Sequence, residues 1–199
     1  LFVNKRPSLK HKIYYILKNK VGLNGINMSN EVCEKYYNLI KNKNINYIYG
    51  YASAIYIFSK FIIDYNLELP IKACFPTSEI LTANYRETIK EAFSCKIIDF
   101  YGAQDSAINA FEHKNGFYEV GYNTLINLKE NIDSSSGDAL CTDLFSYSMP
   151  FIKYELGDSL KIDDKINKSY EYNGQIINKV IGRSSDIIKL RNGNILTGP

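Results

Sequence analysis

Three short polar clusters follow apolar runs along the chain. They are residues 101–105 (Tyr-Gly-Ala-Gln-Asp), 154–158 (Tyr-Glu-Leu-Gly-Asp) and 182–186 (Gly-Arg-Ser-Ser-Asp). An aromatic ring can cover a purine, a carboxylate can accept both hydroxyls of a ribose, and a guanidinium suits phosphate or ribose oxygens. Together the clusters predict a pocket for an adenine nucleotide, although each alone is also typical of an ordinary turn or a solvated charge.

The first cluster supplies the adenine contact in this hypothesis. Tyr101 closes an apolar run, and Gly102 allows the chain to turn away without a clashing Cβ atom. Asp105 lies near the expected path of a triphosphate, where a carboxylate can hold Mg²⁺. The alternative is a glycine turn at a strand end with a solvated aspartate.

The second and third clusters supply the ribose and phosphate contacts. Asp158 is expected at a turn after a strand at residues 151–156, where its carboxylate can accept two hydroxyls. Arg183 follows Gly182 and offers charged donors. A turn aspartate and a surface arginine are the alternatives.

Two further candidates for the adenine contact lie upstream. Residues 77–79 (Thr-Ser-Glu) end an apolar run, so their backbone can meet the adenine edge, and Ser78 is also a candidate N-cap for the next helix. Asp99 can accept from the adenine amino group, or else it faces solvent.

The elements that carry these residues divide into two kinds. Apolar spacing predicts helices at residues 29–43, 53–65 and 81–93, and strands at 45–49, 71–75 and 95–101. Single short helices between strands imply parallel pairing, which places residues 50, 77–79 and 101–102 at the carboxyl edge of the sheet, where ligands bind. Further short strands are expected at 117–122, 124–128, 139–144, 151–156, 176–181 and 187–190. The fold class is therefore α/β, with a parallel βαβαβ layer followed by a smaller β-barrel-like half.

Composition limits the classes of function. The 24 basic and 21 acidic side chains give a net charge of only +3, with scattered lysines, which argues against a nucleic-acid partner. No apolar run is long enough to span a bilayer, so no membrane partner is expected. Four widely spaced cysteines favour reduced thiols in a cytoplasmic protein, and neither a zinc site nor a hydrolase triad is expected.

The motifs, taken in order, resemble those of the adenylate-forming superfamily, specifically its phenylacetate–coenzyme A ligase-like branch, which includes relatives in capsular polysaccharide biosynthesis. The resemblance runs from about residue 10 to the end of the chain. Its carriers are residues 50–53 (Gly-Tyr-Ala-Ser), 77–79, 101–105, 149–158 and 182–186. It implies two subdomains, an α/β subdomain at 1–112 with a lead-in at 1–27, and a β-rich subdomain at 113–199 that ends at a hinge.

The resemblance also implies roles for single residues. Tyr101 would stack on adenine, Asp105 would take the place of a Mg²⁺-associated glutamate, Asp158 would hold the ribose hydroxyls, Arg183 would face ribose or phosphate, and Ser185 would occupy the hinge to a second domain. Ser78, Glu79, Asp99, Gly102, Ala103 and Gln104 complete the expected nucleotide-binding set, while Tyr51, Ala52 and Ala103 are expected to line an acyl pocket. The implied reaction is attack of a carboxylic acid on the α-phosphate of ATP, which releases pyrophosphate and gives an acyl-AMP, usually followed by transfer of the acyl group to coenzyme A.

Several positions depart from the pattern of that superfamily. Asp105 is one methylene shorter than the usual glutamate, Gln104 replaces a serine, threonine or arginine, and Ser185 replaces an aspartate or lysine. The upstream phosphate loop and the downstream domain with the catalytic lysine are not found in these 199 residues, so we expect a fragment that is inactive alone. A non-catalytic nucleotide-binding or scaffold module of the same fold is the alternative. The sequence leaves the acid and the oligomeric state open.

Overall fold

In the computed structural model, the described residues are 2–3, 9–103, 106–113, 116–133, 135–162, 174–186, 188–189 and 195–196. The chain divides into two compact units, Leu1–Asp99 and Phe100–Pro199. Each unit has its own hydrophobic core. The boundary between two subdomains that the sequence suggests near residue 112 stays a prediction.

The first unit consists of helices and parallel strands. Its helices are α1 (Leu9–Leu17), α2 (Asn30–Asn42), α3 (Ala52–Asp64) and α4 (Ala83–Phe93). Its strands are β1 (Phe2–Val3), β2 (Leu23–Asn24), β3 (Tyr47–Tyr51), β4 (Ala73–Thr77) and β5 (Lys96–Ile97). Strand β4 pairs in parallel with β3 and with β5, which confirms the parallel layer.

The core of the first unit forms around α3, which is apolar on most of its surface. Ile55, Phe58 and Ile62 are fully or almost fully buried, and they recur at the spacing of one helical face. Ile89 of α4 and Cys74 of β4 belong to the same core. The spacing of apolar residues therefore locates these elements well, because the residues that pack against the sheet must be apolar.

Two details of the first unit correct the sequence-based expectations. Helix α4 begins at Ala83, and its N-cap is Thr82, whose hydroxyl accepts from the Tyr85 N–H over 3.2 Å. Ser78 is not a helix cap, and it has a left-handed φ of 65°. The single strand expected at residues 95–101 is also wrong, because the segment forms two strands, one at Lys96–Ile97 and one that begins at Phe100, with residues 98–99 outside both.

The second unit is an antiparallel sheet. Its strands are β6 (Phe100–Ala103), β7 (Ile108–Glu112), β8 (Tyr118–Val120), β9 (Thr124–Asp133), β10 (Ser136–Asp143), β11 (Tyr154–Ile162) and β12 (Ile176–Arg183), paired in the order β6-β7-β8-β12-β11-β10-β9. A 3₁₀ turn at Ser184–Asp186 follows β12, and β13 (Ile188–Lys189) pairs antiparallel with β14 (Ile195–Leu196) in a separate sheet. Strand β7 was missed by the sequence analysis, because its apolar residues alternate with Asn109 in a short segment of five residues.

One glutamine side chain joins the far edge of this sheet back to β12. The Gln175 amide donates to the Ile126 carbonyl over 2.8 Å and accepts from the Ile126 N–H over 2.7 Å. Gln175 directly precedes β12, and its own carbonyl accepts from the Val120 N–H. Strands β12, β11, β10 and β9 therefore close into the barrel-like arrangement that the sequence predicts, around Ile126, Leu160 and Ile177. None of the described helices reaches the length and apolar character of a membrane span.

Candidate functional site

Three of the side chains expected at the nucleotide lie together in the second unit. The Tyr101 hydroxyl donates to Oδ2 of Asp158 over 2.8 Å, and Nε of Arg183 lies 3.1 Å from Oδ1 of the same carboxylate, with which it forms an ion pair. The Asp158 side chain is 12% exposed and that of Arg183 is 63% exposed. A ring, an acid and a guanidinium from three strands therefore converge on one point.

A bulge in β11 aims Asp158 at this point. In the pairing with β10, Asp138 lies opposite Ser159 and Leu140 lies opposite Glu155, so β11 has extra residues between these pairs. Gly157 lies within them and has a φ of 75°, which glycine adopts without strain. The strand does not end at residue 156 as expected, and Asp158 is presented by a bulge within β11 instead of a turn after it.

The position of Arg183 follows from its place in β12. Arg183 lies directly opposite Asp158 in the antiparallel pairing, so the two opposite charges form a cross-strand pair. Gly182 has a φ of 138°, where the register between the two strands shifts. The Nη1 atom of Arg183 also donates to the Leu156 carbonyl over 3.3 Å, so the bulge of β11 binds the guanidinium at two points.

Tyr101 is held by close packing in the β6–β7 hairpin. Its strand neighbour Gly102 lies against the Phe100 ring, and a Cβ atom there would come within 2.9 Å of that ring and 3.1 Å of the Ile108 carbonyl oxygen. Gly102 lies within β6 and does not begin a turn, so its role is close approach of the chain. The Tyr101 ring meets Tyr118 edge-on with 6.5 Å between ring centroids.

The electrostatics keep Tyr101 a hydrogen-bond donor. Burial, and after it the negative charge of Asp158, raises the pKa of Tyr101 far above its ordinary value. The hydroxyl therefore stays protonated over the physiological range. Each oxygen of Asp158 contacts one protein group, Tyr101 or Arg183, and a carboxylate oxygen can accept a second donor.

A second polar network lies beside this group and was missed by the sequence analysis. Oδ1 of Asp138 accepts from the Ser159 hydroxyl over 2.6 Å and from the Ser184 hydroxyl over 2.7 Å. Ser159 is fully buried. The sequence carries one signal for it, because a serine directly follows each of Asp158 and Arg183.

The expected contacts at residues 77–79 lie in the first unit, where one of them has a structural role. Oε2 of Glu79 accepts from the Ser53 N–H over 2.7 Å, at the first turn of α3. A carboxylate at a helix N-terminus satisfies a free N–H and complements the helix dipole. Asp99 is 8% exposed, so the alternative in which it faces solvent is wrong.

The residues expected at the acyl pocket are buried in or packed against the two cores, whereas the residue expected at the hinge is exposed. Ala52 is fully buried at the start of α3, and Tyr51 packs against the core of the first unit. Ala103 ends β6 and packs against the core of the second unit. Ser185 is exposed within the 3₁₀ turn that follows Arg183.

Gln104 and Asp105 lie outside the described residues, but the corner directly after them is firmly held. Ala107 has a φ of 52°, and its carbonyl accepts from Nδ2 of Asn109 over 2.9 Å, Nδ2 of Asn123 over 2.6 Å and the Thr124 hydroxyl over 3.0 Å. No cluster of metal-binding side chains occurs within the described ranges. The expected Mg²⁺ contact of Asp105 stays a prediction.

Comparisons with known proteins agree with the fold expected from the motifs. The chain superposes on 2-hydroxyisobutyryl-CoA ligase in the postadenylation state in complex with R3-HIB-AMP with a TM-score of 0.68, 15% identity, and coverage of 88% of this chain and 40% of the ligase. The anthranilate CoA ligase AuaEII in complex with anthranoyl-AMP gives a TM-score of 0.62, 16% identity, and coverage of 85% and 35%. Coronafacic acid ligase from Pectobacterium brasiliense gives a TM-score of 0.58 and 18% identity, and the match covers 90% of this chain and 37% of the ligase. The chain therefore has the fold of adenylate-forming acyl-CoA ligases, which confirms the resemblance at the level of fold.

A sequence relative points in the same direction. The chain is 29% identical over 151 residues to Protein CapK from Staphylococcus aureus, and the match covers 74% of this chain and 33% of CapK. No family model matches the chain. The chain thus spans about a third of the length of this curated relative and two fifths or less of the three superposed ligases.

Proposed function

We propose that this chain is the nucleotide-binding part of an ATP-dependent acyl-adenylating ligase. The single observation that supports this most is the convergence of Tyr101 and Arg183 on the buried Asp158 carboxylate. It occurs in a fold shared with ligases that were crystallised with acyl-AMP molecules. These are the types of group that adenine, ribose and phosphate binding require.

In the proposed site each group has a distinct task. Asp158 accepts the ribose hydroxyls, because a carboxylate that is mostly withdrawn from water forms strong charge-assisted hydrogen bonds. The exposed part of Arg183 offers donors to ribose or phosphate oxygens, and the ring of Tyr101 covers the adenine. Asp105 is proposed as the Mg²⁺ ligand near the phosphates, by the chemistry of its carboxylate.

The proposed reaction joins a small carboxylic acid to AMP. A carboxylate oxygen of the acid attacks the α-phosphorus of ATP, the bond to the β-phosphate oxygen breaks, and pyrophosphate leaves with the electron pair. The residues of this chain contribute alignment and neutralisation of charge. Transfer of the acyl group to coenzyme A, a cytoplasmic location and a role in capsular polysaccharide biosynthesis belong to the same proposal, since the structural neighbours are CoA ligases and the curated relative is CapK.

Calorimetric titration of the chain with AMP and with ATP tests the nucleotide site. We expect binding by the wild type and about 10- to 100-fold weaker binding by Asp158→Asn, because this change removes a charged acceptor worth roughly 1.5–3 kcal/mol while it keeps the size of the side chain. Asp143→Asn is the control, since Asp143 is another carboxylate that accepts hydrogen bonds but lies in a different strand, at the end of β10. Equal affinity of the wild type and Asp158→Asn would contradict the proposal.

Activity is tested on the complete protein. Pyrophosphate release from ATP with a panel of small carboxylic acids, in the presence of Mg²⁺, should be stimulated by one class of acid. Nucleotide binding without any pyrophosphate release by the complete protein would favour the non-catalytic binding module. Asp105→Asn should reduce the response to Mg²⁺ and leave AMP affinity unchanged.

A further inference from the structure

The two serines next to the nucleotide ligands share one acceptor. Ser159 follows Asp158 in β11 and Ser184 follows Arg183 at the end of β12. Both hydroxyls donate to Oδ1 of Asp138, and their oxygens lie 3.3 Å apart. Three separate elements, β10, β11 and the 3₁₀ turn, are therefore tied to one carboxylate oxygen.

This network directly follows the ion pair along the chain, since Ser159 comes after Asp158 and Ser184 after Arg183. The ion pair and Asp138 therefore join β11 to the end of β12 at two successive points. Short hydrogen bonds from hydroxyls to a carboxylate are of the strong kind.

Arg183 needs such support because of its place in the chain. It is the last residue of β12, and 63% of its side chain is exposed. A long exposed side chain at a strand end loses conformational freedom when it is held in one position. Fixing Ser184 fixes the backbone from which the guanidinium extends.

We propose that Asp138 is a positioning residue for Arg183. It holds Ser184 at the start of the 3₁₀ turn, and so keeps the guanidinium directed at Asp158 and at the nucleotide that this site is proposed to bind. This inference rests on the proposed nucleotide site for its functional consequence only. The positioning itself is a property of the free chain.

The first readout does not depend on nucleotide. Nε of Arg183 lies 3.1 Å from Oδ1 of Asp158, so the exchange of its hydrogen with water, followed by NMR, reports whether the guanidinium is held. The loss of one arginine signal in Arg183→Lys assigns the resonance. We expect Asp138→Ala and Ser184→Ala to accelerate this exchange at least tenfold, whereas Ser184→Thr, which keeps the hydroxyl, should stay near the wild-type rate.

The second readout is AMP affinity, with a matched control in the same strand. Asp143→Ala removes another β10 carboxylate that accepts from a serine, Ser146, and it should lower the urea midpoint without changing Arg183 exchange or AMP affinity. Asp138→Ala and Ser184→Ala should weaken AMP binding about fivefold or more. Should Asp138→Ala fail to fold, Ser184→Ala decides, because it removes one hydroxyl at a partly exposed turn.

The two readouts separate the two proposals. Unchanged Arg183 exchange in Ser184→Ala would overturn the positioning role of Asp138. Accelerated exchange in a chain that binds no AMP would support the positioning role and contradict the proposed nucleotide site. Accelerated exchange together with weaker AMP binding supports both.

Discussion

Asp158 is the residue on which the candidate site depends, and its two oxygens are already engaged. Oδ2 accepts from Tyr101, and Oδ1 forms an ion pair with Arg183. A ribose hydroxyl that approaches Oδ2 meets the Tyr101 hydroxyl there, because Oδ2 already accepts from it and the carboxylate is mostly buried. The same hydroxyl that stabilises the free chain therefore competes with the proposed ligand.

The substitution Tyr101→Phe tests this competition. It keeps the ring for adenine and removes the hydroxyl, so we expect about three- to tenfold tighter AMP binding together with a loss of about 1–2 kcal/mol in the free energy of unfolding. Calorimetry and urea denaturation measure the two effects. Tyr36→Phe is the control, since it removes a partly buried hydroxyl that is bonded to Asn24 in the first unit, and only stability should change. Weaker AMP binding by Tyr101→Phe would show that the hydroxyl assists the ligand.

The residue types at this site were predictable from the sequence, but their geometry was not. Tyr101, Asp158 and Arg183 stand out because each follows or ends an apolar run. Asp138 carries no such mark, since its importance comes from pairing with Ser159 across two strands. A contact between residues that are distant in the chain is fixed by register, which a single sequence does not state.

At the scale of elements, apolar periodicity predicted most of the helices and strands, because the buried face of each element needs apolar residues at its own spacing. The differences arise where one local pattern fits two structures. A Gly-Asp pair fits both a turn and a bulge, and only the partner strand makes Gly157 a bulge. Ser78 and Thr82 are both residue types that cap helices, but only Thr82 has the extended backbone of an N-cap, whereas Ser78 is left-handed.

The closure of the barrel by Gln175 gives a prediction at this scale. Gln175→Glu keeps an acceptor for the Ile126 N–H but places a negative charge against the Ile126 carbonyl, so we expect a loss of about 1–3 kcal/mol in the free energy of unfolding. Urea denaturation measures this loss. Glu155→Gln is the control, because it removes only an exposed ion pair with Lys129 and should cost less than about 1 kcal/mol. Equal effects of the two changes would mean that the amide does not hold the edge of the sheet.

At the scale of the whole chain, both units bury groups that resist ionisation. Burial raises the pKa of the Cys33 and Cys141 thiols, and the hydrogen bond with Cys95, followed by burial, raises the pKa of Cys74. Burial, followed by the charge of Asp158, also raises the pKa of the Tyr101 hydroxyl. Cys95 shifts in the opposite direction, since its hydrogen bond with Cys74 lowers its pKa.

These shifts predict that stability falls in alkaline solution. The ordinary value is 9.0 for the thiols and 10.0 for the phenol, so above about pH 9 the unfolded chain releases protons that the folded chain keeps. Because Cys95 ionises at lower pH in the folded chain than in the unfolded one, the free energy of unfolding should hold or rise slightly from pH 7 to about pH 9. Above about pH 9, where Cys95 is ionised in both states, it should fall by up to about 1.4 kcal/mol per pH unit for each raised group.

Urea denaturation between pH 7 and 10, in the presence of a thiol reductant, measures this profile. Cys141→Ala removes one raised group, so its free energy of unfolding should start lower at pH 7 but fall less steeply above pH 9, and Tyr101→Phe should flatten the curve only near pH 10. Lys129→Gln, an exposed change that touches no buried group, should leave the slope as in the wild type. A wild-type profile that is flat to pH 10 would mean that the buried thiols ionise as readily in the folded chain as in the unfolded one. In that case these sites would admit water, and the dry surroundings inferred for Asp158 beside Tyr101 and Cys141 would be wrong as well.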